Sequence, residues 1–267
     1  MRFIFIFLFI STTLAYAERD SLGTMQRQNS ILARKEIKKP LVRPFITDDA
    51  RVVGARLSQL ETWARYEHRN FQQWVMLAYG PTKRTELTLG GVGGYDEEEG
   101  EGHFAYALPL LQAKILFREY KPNKLAGVGL VAGSFLPVGS GTFRPPGYGI
   151  FSFLTISQAL GHGEKLLLHL NAGGNYLYED NHQFIGTWGF GSQIKTIGGF
   201  HLVAELFSGD PYVPGTGTAY QAGFRHFFSD NFQIDMTFGE GLAGRTIMPF
   251  WVSAGLRLVF GTNKSDS

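Results

Sequence analysis

The chain has no cysteine among its 267 residues. That excludes a disulfide framework, a thiolate metal site and a cysteine nucleophile. It also lacks any run of about eighteen apolar residues, the least a membrane-crossing helix needs; the longest stretch of that kind, Phe3 to Ile10, is far shorter. Charge of one sign is not in excess either, the net being +2. The basic residues that do cluster are Arg19, Arg27, Arg34, Lys35, Lys38, Lys39 and Arg43, set against Glu18, Asp20 and Glu36. The remainder is slightly acidic, so nucleic-acid binding by the main body has no support. A mean hydropathy of −0.06 does not separate soluble from membrane chains here, because lipid-facing and lumen-facing residues alternate along the strands of a transmembrane barrel.

The first residues have the order of a secretory signal. Met1-Arg2 is basic, Phe3 to Ile10 apolar, and Ala15-Tyr16-Ala17 offers a small-x-small cleavage site before Glu18. The predicted organisation is a signal peptide over 1–17, a periplasmic extension over 18–44, a barrel over 45–260 and a tail over 261–267. The polar extension reads as a linker in preference to a plug or docking arm. Thr47-Asp48-Asp49 reads as a turn before the first strand.

From residue 57 apolar residues recur with period two. Phe250, Val252, Ala254, Leu256, Leu258 and Phe260 share one face, while Ser253, Gly255 and Arg257 share the other; Phe232, Ile234, Met236 and Phe238 alternate with Gln233, Asp235 and Thr237. Such alternation over eight to eleven residues marks strands able to cross a bilayer when tilted. The expected strands are 57–69, 72–80, 85–95, 107–119, 125–136, 149–159, 166–178, 184–194, 200–208, 219–228, 232–239 and 250–260. The fold class is therefore all-β, an antiparallel transmembrane β-barrel of about twelve strands, ten and fourteen remaining open. Short links (80–84, 121–124, 161–165, 195–199, 229–231) alternate with longer ones (96–106, 137–148, 209–218, 240–249), which puts both termini in the periplasm. Tyr66, Trp74, Tyr95, Tyr176, Trp188, Tyr220 and Trp251 are expected at the outer rim, and Phe117, Tyr120, Phe200, Phe228 and Phe260 at the inner one.

Several stretches resemble one family. Arg43-Pro44-Phe45-Ile46-Thr47-Asp48-Asp49-Ala50 leading into Gln59-Leu60-Glu61, Glu205-Leu206-Phe207-Ser208-Gly209, Gly223-Phe224-Arg225-His226-Phe227 with Ser229-Asp230-Asn231-Phe232-Gln233-Ile234-Asp235, and the closing Gly255-Leu256-Arg257-Leu258-Val259-Phe260 are similar to the outer-membrane barrels named for the MetA pathway of phenol degradation. The resemblance runs over about residues 43 to 260. It implies a small outer-membrane barrel that admits aromatic or hydrophobic compounds. One departure is that Gly261–Ser267 follow the terminal Phe260.

The strand parity yields candidate lumen-facing residues: Glu61, Arg65, Gln112, Lys114, Arg118, His169, Asn171, Asn175, Glu205, Arg225, Asp235 and Arg257, with Glu67, Glu86 and His201 beside them. A ladder of both signs can line a solute path, or its members can pair and leave a narrow interior. The expected function is a passive channel for small solutes, aromatic or hydrophobic ones among them. A structural or interaction barrel with an occluded lumen is the second reading and an outer-membrane lipid-acting hydrolase the third. No catalytic residue, metal or cofactor is assigned. His226 and Ser229 fall at the wrong rim for lipid hydrolysis, Asp96–Glu101 lacks the spacing of a calcium loop, and Gly90–Gly94 is no phosphate loop. The expected partners are outer-membrane lipids, small solutes and the barrel-assembly machinery, in the outer membrane.

Overall fold

The computed structural model describes residues 47–68, 70–98, 101–178, 183–210, 213–244 and 247–261. The expected signal peptide, the 18–44 extension and residues 262–267 of the tail lie outside the described residues.

Thirteen strands occur among the described residues: β1 (Ser58–Glu67), β2 (Asn70–Tyr79), β3 (Thr85–Glu98), β4 (Glu101–Arg118), β5 (Gly127–Phe135), β6 (Gly139–Ser140), β7 (Tyr148–Leu160), β8 (Leu166–Tyr178), β9 (Gln183–Lys195), β10 (Phe200–Asp210), β11 (Val213–Ser229), β12 (Phe232–Ala243) and β13 (Trp251–Phe260). Twelve make a closed antiparallel ring, each pairing with its neighbours in the chain and β1 closing on β13 from Ser58↔Phe260 to Glu67↔Trp251. The two-residue β6 stands outside the ring, paired to β4 through Tyr106↔Ser140 and Ala107↔Gly139. Closure leaves no unpaired edge, the condition for strands to cross hydrocarbon.

Alternation sets the two faces. Along β2, Val75 and Leu77 are 46% and 47% exposed while Met76 and Ala78, which alternate with them, are buried at 6% and 4%. The same outward apolar set runs round the ring through Leu89, Ile115, Leu154, Leu170, Phe190, Leu202, Phe224, Met236 and Leu258. An apolar belt this wide is far beyond what a soluble surface carries and belongs in lipid. Aromatic rings flank it. Tyr148 and Tyr178 pair at 5.7 Å near one end of their strands, and Phe228 stacks on Phe232 at 5.3 Å near the other.

Two details correct the sequence reading and a third fills it out. First, the links 96–106 and 209–218 are not loops: strand pairing continues to Glu98↔Glu101 and to Asp210↔Val213. Second, Trp251 is buried at 1% because its parity is that of the inner face. Trp74 is half-buried on the inner face for the same reason, and Tyr120 is buried in the turn between β4 and β5. Third, the glycines at 90–94 serve a bulge, the β3–β4 register shifting between Gly90 and Val92. A Cβ on Gly91 would collide with the Leu108 side chain.

Candidate functional site

The inner face has two zones. Toward the rim that holds the connection between β5 and β7 it is apolar, with Met76, Leu110, Val131, Phe135, Phe151 and Phe153 packed together and Trp63 against them. Phe207, Ala219, Met248 and Trp251 form a second such cluster. Toward the rim that holds the start of β1 and the end of β13 it is polar and charged.

Eleven of the twelve candidate residues are buried on the inner face: Glu61, Gln112, Lys114, His169, Asn171, Glu205, Arg225, Asp235 and Arg257, and, toward the other rim, Arg65 opposite Ser253 and Asn175 opposite Phe151. Arg118 is exposed. The β4–β5 register shifts between Leu116 and Arg118, and at the rim its Nε donates to the Ala126 carbonyl at 2.9 Å. Along β11, β12, β13 and β1 the polar groups join one another. Arg257 Nε donates to Gln59 Oε1 at 2.7 Å, Gln59 Nε2 to Glu61 Oε1 at 2.8 Å, and Arg225 Nη1 to Gln193 Oε1 at 2.7 Å. Arg225 stands opposite Asp235, and Glu61 opposite Arg257. Both arginines are 0% exposed.

The remaining charges hold a piece of the chain that the sequence reading took for a turn. Residues 47–53 run as a strap against the inner wall, with Thr47, Asp48, Asp49, Ala50, Val52 and Val53 all buried. Thr47 N–H donates to Glu205 at 2.8 Å and Val53 N–H to Glu86 at 2.7 Å. Ala50 N–H donates to Ser157 Oγ at 2.9 Å, and Thr155 Oγ1 donates to the Asp48 carbonyl at 2.8 Å. Lys114 Nζ lies 2.8 Å from Asp48 Oδ1 and 4.0 Å from Glu86 Oε1. Arg51 pairs with Asp49 and lies over the Tyr120 ring, whose hydroxyl donates to Glu164 at 2.9 Å. Strands β3, β4, β7 and β10 thus each give the strap at least one polar partner. Burial pushes the Asp48 carboxyl up to about 6, with Lys114 pulling against it. Asp49 is held below the usual carboxylate range, the burial that would raise it being outweighed by Arg51, His169 and Lys114.

Space for the strap comes from small inward residues. A Cβ on Gly189 would lie 2.5 Å from Thr47 Oγ1, and one on Gly191 3.4 Å from Thr47 Cβ. Gly127 faces Ala50 in the same way. The sequence reading missed the strap, its receptors Ser157 and Thr155, and the inward glutamines Gln59 and Gln193; Gln233 it placed on the inner face with Asp235 without naming it a candidate. Glycines at alternate inward positions, 189 and 191 and again 127 and 129, were the signal that something fills the space they leave.

No hydrolase site emerges among the described residues. Ser157 Oγ is 2.8 Å from His169 Nδ1 and 3.5 Å from Asp49 Oδ1. That order puts the serine between histidine and acid, whereas base activation needs the histidine between. The serine also lies beneath the strap. His226 packs between Phe200 and Phe228, and Ser229 caps its turn by accepting from Asn231 and Phe232 N–H.

No protein-family description matches the chain, and no curated protein does. Solved structures do. An outer-membrane channel from Pseudomonas putida F1 superposes with a TM-score of 0.59 at 14% identity, over 82% of this chain and 100% of that one. The KdgM porin superposes with a TM-score of 0.52 at 9% identity, over 76% and 99% of the two chains, and has also been solved in complex with disordered oligogalacturonate. At these identities the likeness is one of fold, and the fold is that of the closed barrels of the Gram-negative outer membrane.

Proposed function

We propose that the chain is a passive outer-membrane channel for small solutes, narrowed by its own strap. One observation carries this: half of a closed barrel's interior is lined by ionisable groups of both signs. A barrel that served only as a packed body would fill that volume with apolar side chains, since buried ion pairs stabilise little or nothing over well-packed hydrophobes. The balance of charge argues for weak ion preference. The neighbours of like fold are channels and porins, which supports the same reading and gives no support to catalysis. Outer-membrane lipids on the exterior and the assembly machinery during biogenesis are the partners this reading carries.

Aromatic or hydrophobic compounds are the solute class we favour. The support is the apolar half of the interior, with Trp63, Phe135, Phe151 and Phe153, together with the segments that resemble the phenol-degradation barrels. Polyanionic sugars fit this half-apolar lining less well. The second reading, an occluded interaction barrel, is favoured by the strap itself and by arginines without exposed surface. Single-channel recording on the refolded full-length protein separates the two. Small conductance steps with weak ion preference are expected. Silence from the wild type and from a strap-released variant, both folded, overturns the channel.

A further inference from the structure

The lipid-facing wall has a depression across β2, β3, β4 and β5. Tyr79 stands opposite Leu87, Leu87 opposite Ala113 and Ala113 opposite Ala132, which aligns one outward row. Leu77, Leu89, Leu111 and Ser134 align the next row in the same way. Tyr79 and the leucines are exposed, but the outward residues of these rows at β4 and β5 include the small Ala113, Ala132 and Ser134. On the same face the following strands carry Leu154, Leu170, Phe190, Leu202 and Phe224. The result is a groove of about 660 Å³, within the range of ligand pockets, about 300–1,000 Å³. It opens into hydrocarbon, so an apolar chain fills it and water does not.

The rim beside this groove is basic. At the ends of β2 to β5 it exposes Lys83, Arg84, Arg118, Lys121 and Lys124 against a single acid, Glu119. The other turns of the same rim balance, with Lys165 and Lys195 against Glu164 and Asp230. No ion pair holds any of the five bases among the described residues. Hydrogen bonds fix the backbone that carries them. Leu116 N–H donates to the Arg84 carbonyl at 2.8 Å, and Leu125 N–H to the Lys121 carbonyl at 2.9 Å. Arg118 is steadied by its own bond to the Ala126 carbonyl.

Groove and rim lie one lipid apart. Ala113 is five residues before Arg118 on β4. At about 3.3 Å per residue and a strand tilt of about 40°, that is about 12 Å of depth, inside one leaflet of a hydrocarbon core about 30 Å thick. A phosphate at the rim therefore sets the middle of its acyl chain in the groove. Tyr79 stands at the groove edge nearer this rim, where amphipathic rings meet headgroups. Tight turns mark the periplasmic rim of such barrels, and β3 and β4 run on past the belt at the opposite one, to Glu98↔Glu101.

We infer that groove and rim together bind one anionic phospholipid of the periplasmic leaflet, its acyl chain over Ala113 and Ala132 and its phosphate among Lys83, Arg84, Lys121 and Lys124. Charge complementarity selects the headgroup and the groove holds the chain. The site lies outside the barrel and does not rest on the channel reading. Native mass spectrometry of the detergent-folded full-length protein tests it, with phosphatidylglycerol and phosphatidylethanolamine of the same acyl chains as probes. The first phosphatidylglycerol should bind at least about fivefold more tightly than phosphatidylethanolamine, the worth of one Lys or Arg near a charged headgroup. Lys83→Gln, Arg84→Gln, Lys121→Gln and Lys124→Gln together should erase that preference. Ala132→Trp, which fills the groove and leaves every charge in place, should weaken both lipids. All of these positions face away from the interior, and heat-modifiable mobility verifies that each variant is folded. Equal binding of the two lipids, a preference that outlives the four glutamines, undiminished binding to Ala132→Trp, or a second copy of the chain in place of the lipid overturns the inference.

Discussion

At the residue scale the interior depends on a few charges that cannot be left alone. Lys114 faces Asp48 and Glu86 together. Removing one partner of a buried pair costs about 3 kcal/mol or more, because the other charge stays in a poor solvent. Lys114→Met should therefore release the strap while leaving the ring of strands intact. Trypsin cleavage after Arg51, mapped by mass spectrometry, is the check: wild type should resist and the variant should be cut, and equal resistance would place the strap's stability elsewhere. Gly189→Leu should act in the same way for a steric reason, since its side chain needs the space Thr47 occupies. Arg225 tests the path itself. With Asp235 opposite it, Arg225→Gln leaves an acid unbalanced, and the reversal potential should move toward cation preference.

At the element scale the strands were legible and the strap was not. Period-two alternation put β8 at 166–178 and β13 at 250–260, and the structure places them at Leu166–Tyr178 and Trp251–Phe260. Lipid outside and a filled lumen inside leave one sensible phase for such a strand. Hairpins that extend beyond the apolar belt carry no such alternation, so Asp96–Tyr106 looked like an acidic loop although its backbone pairs. Thr47-Asp48-Asp49 looked like a turn because its partners are scattered over β4, β7 and β10 and no local pattern records them. Trp74 and Trp251 were sent to the rim on residue type alone, although Trp251 shares the parity of Arg257. That burial is structural: Arg65 lies 4.4 Å from the Trp251 ring, and a Cβ on Gly239 would collide with that ring. Gly239→Val should push Trp251 out of the β12–β13 wall and cost about 1–3 kcal/mol, read as a lower urea midpoint of the detergent-folded barrel.

At the scale of the whole molecule, one ring of twelve strands separates lipid from an interior that is apolar at one end and ionic at the other. The strap lies in the ionic end, held by wall residues at the Thr47, Ala50 and Val53 N–H groups, the Asp48 and Arg51 carbonyls and the Asp48 carboxylate. On the channel reading, that arrangement explains how a lining of charges comes to be buried. Closure is, on the same reading, a property of the strap, and conduction a property of the wall. The measurement that bears on this most directly is single-channel conductance of the refolded full-length protein beside a variant in which residues 47–53 are replaced by a Gly-Ser linker, both verified as folded by heat-modifiable mobility. Small steps from the wild type and steps several-fold larger, still weakly selective, from the variant are the predicted result. Two folded barrels of equal conductance, or two that conduct nothing, would contradict the account.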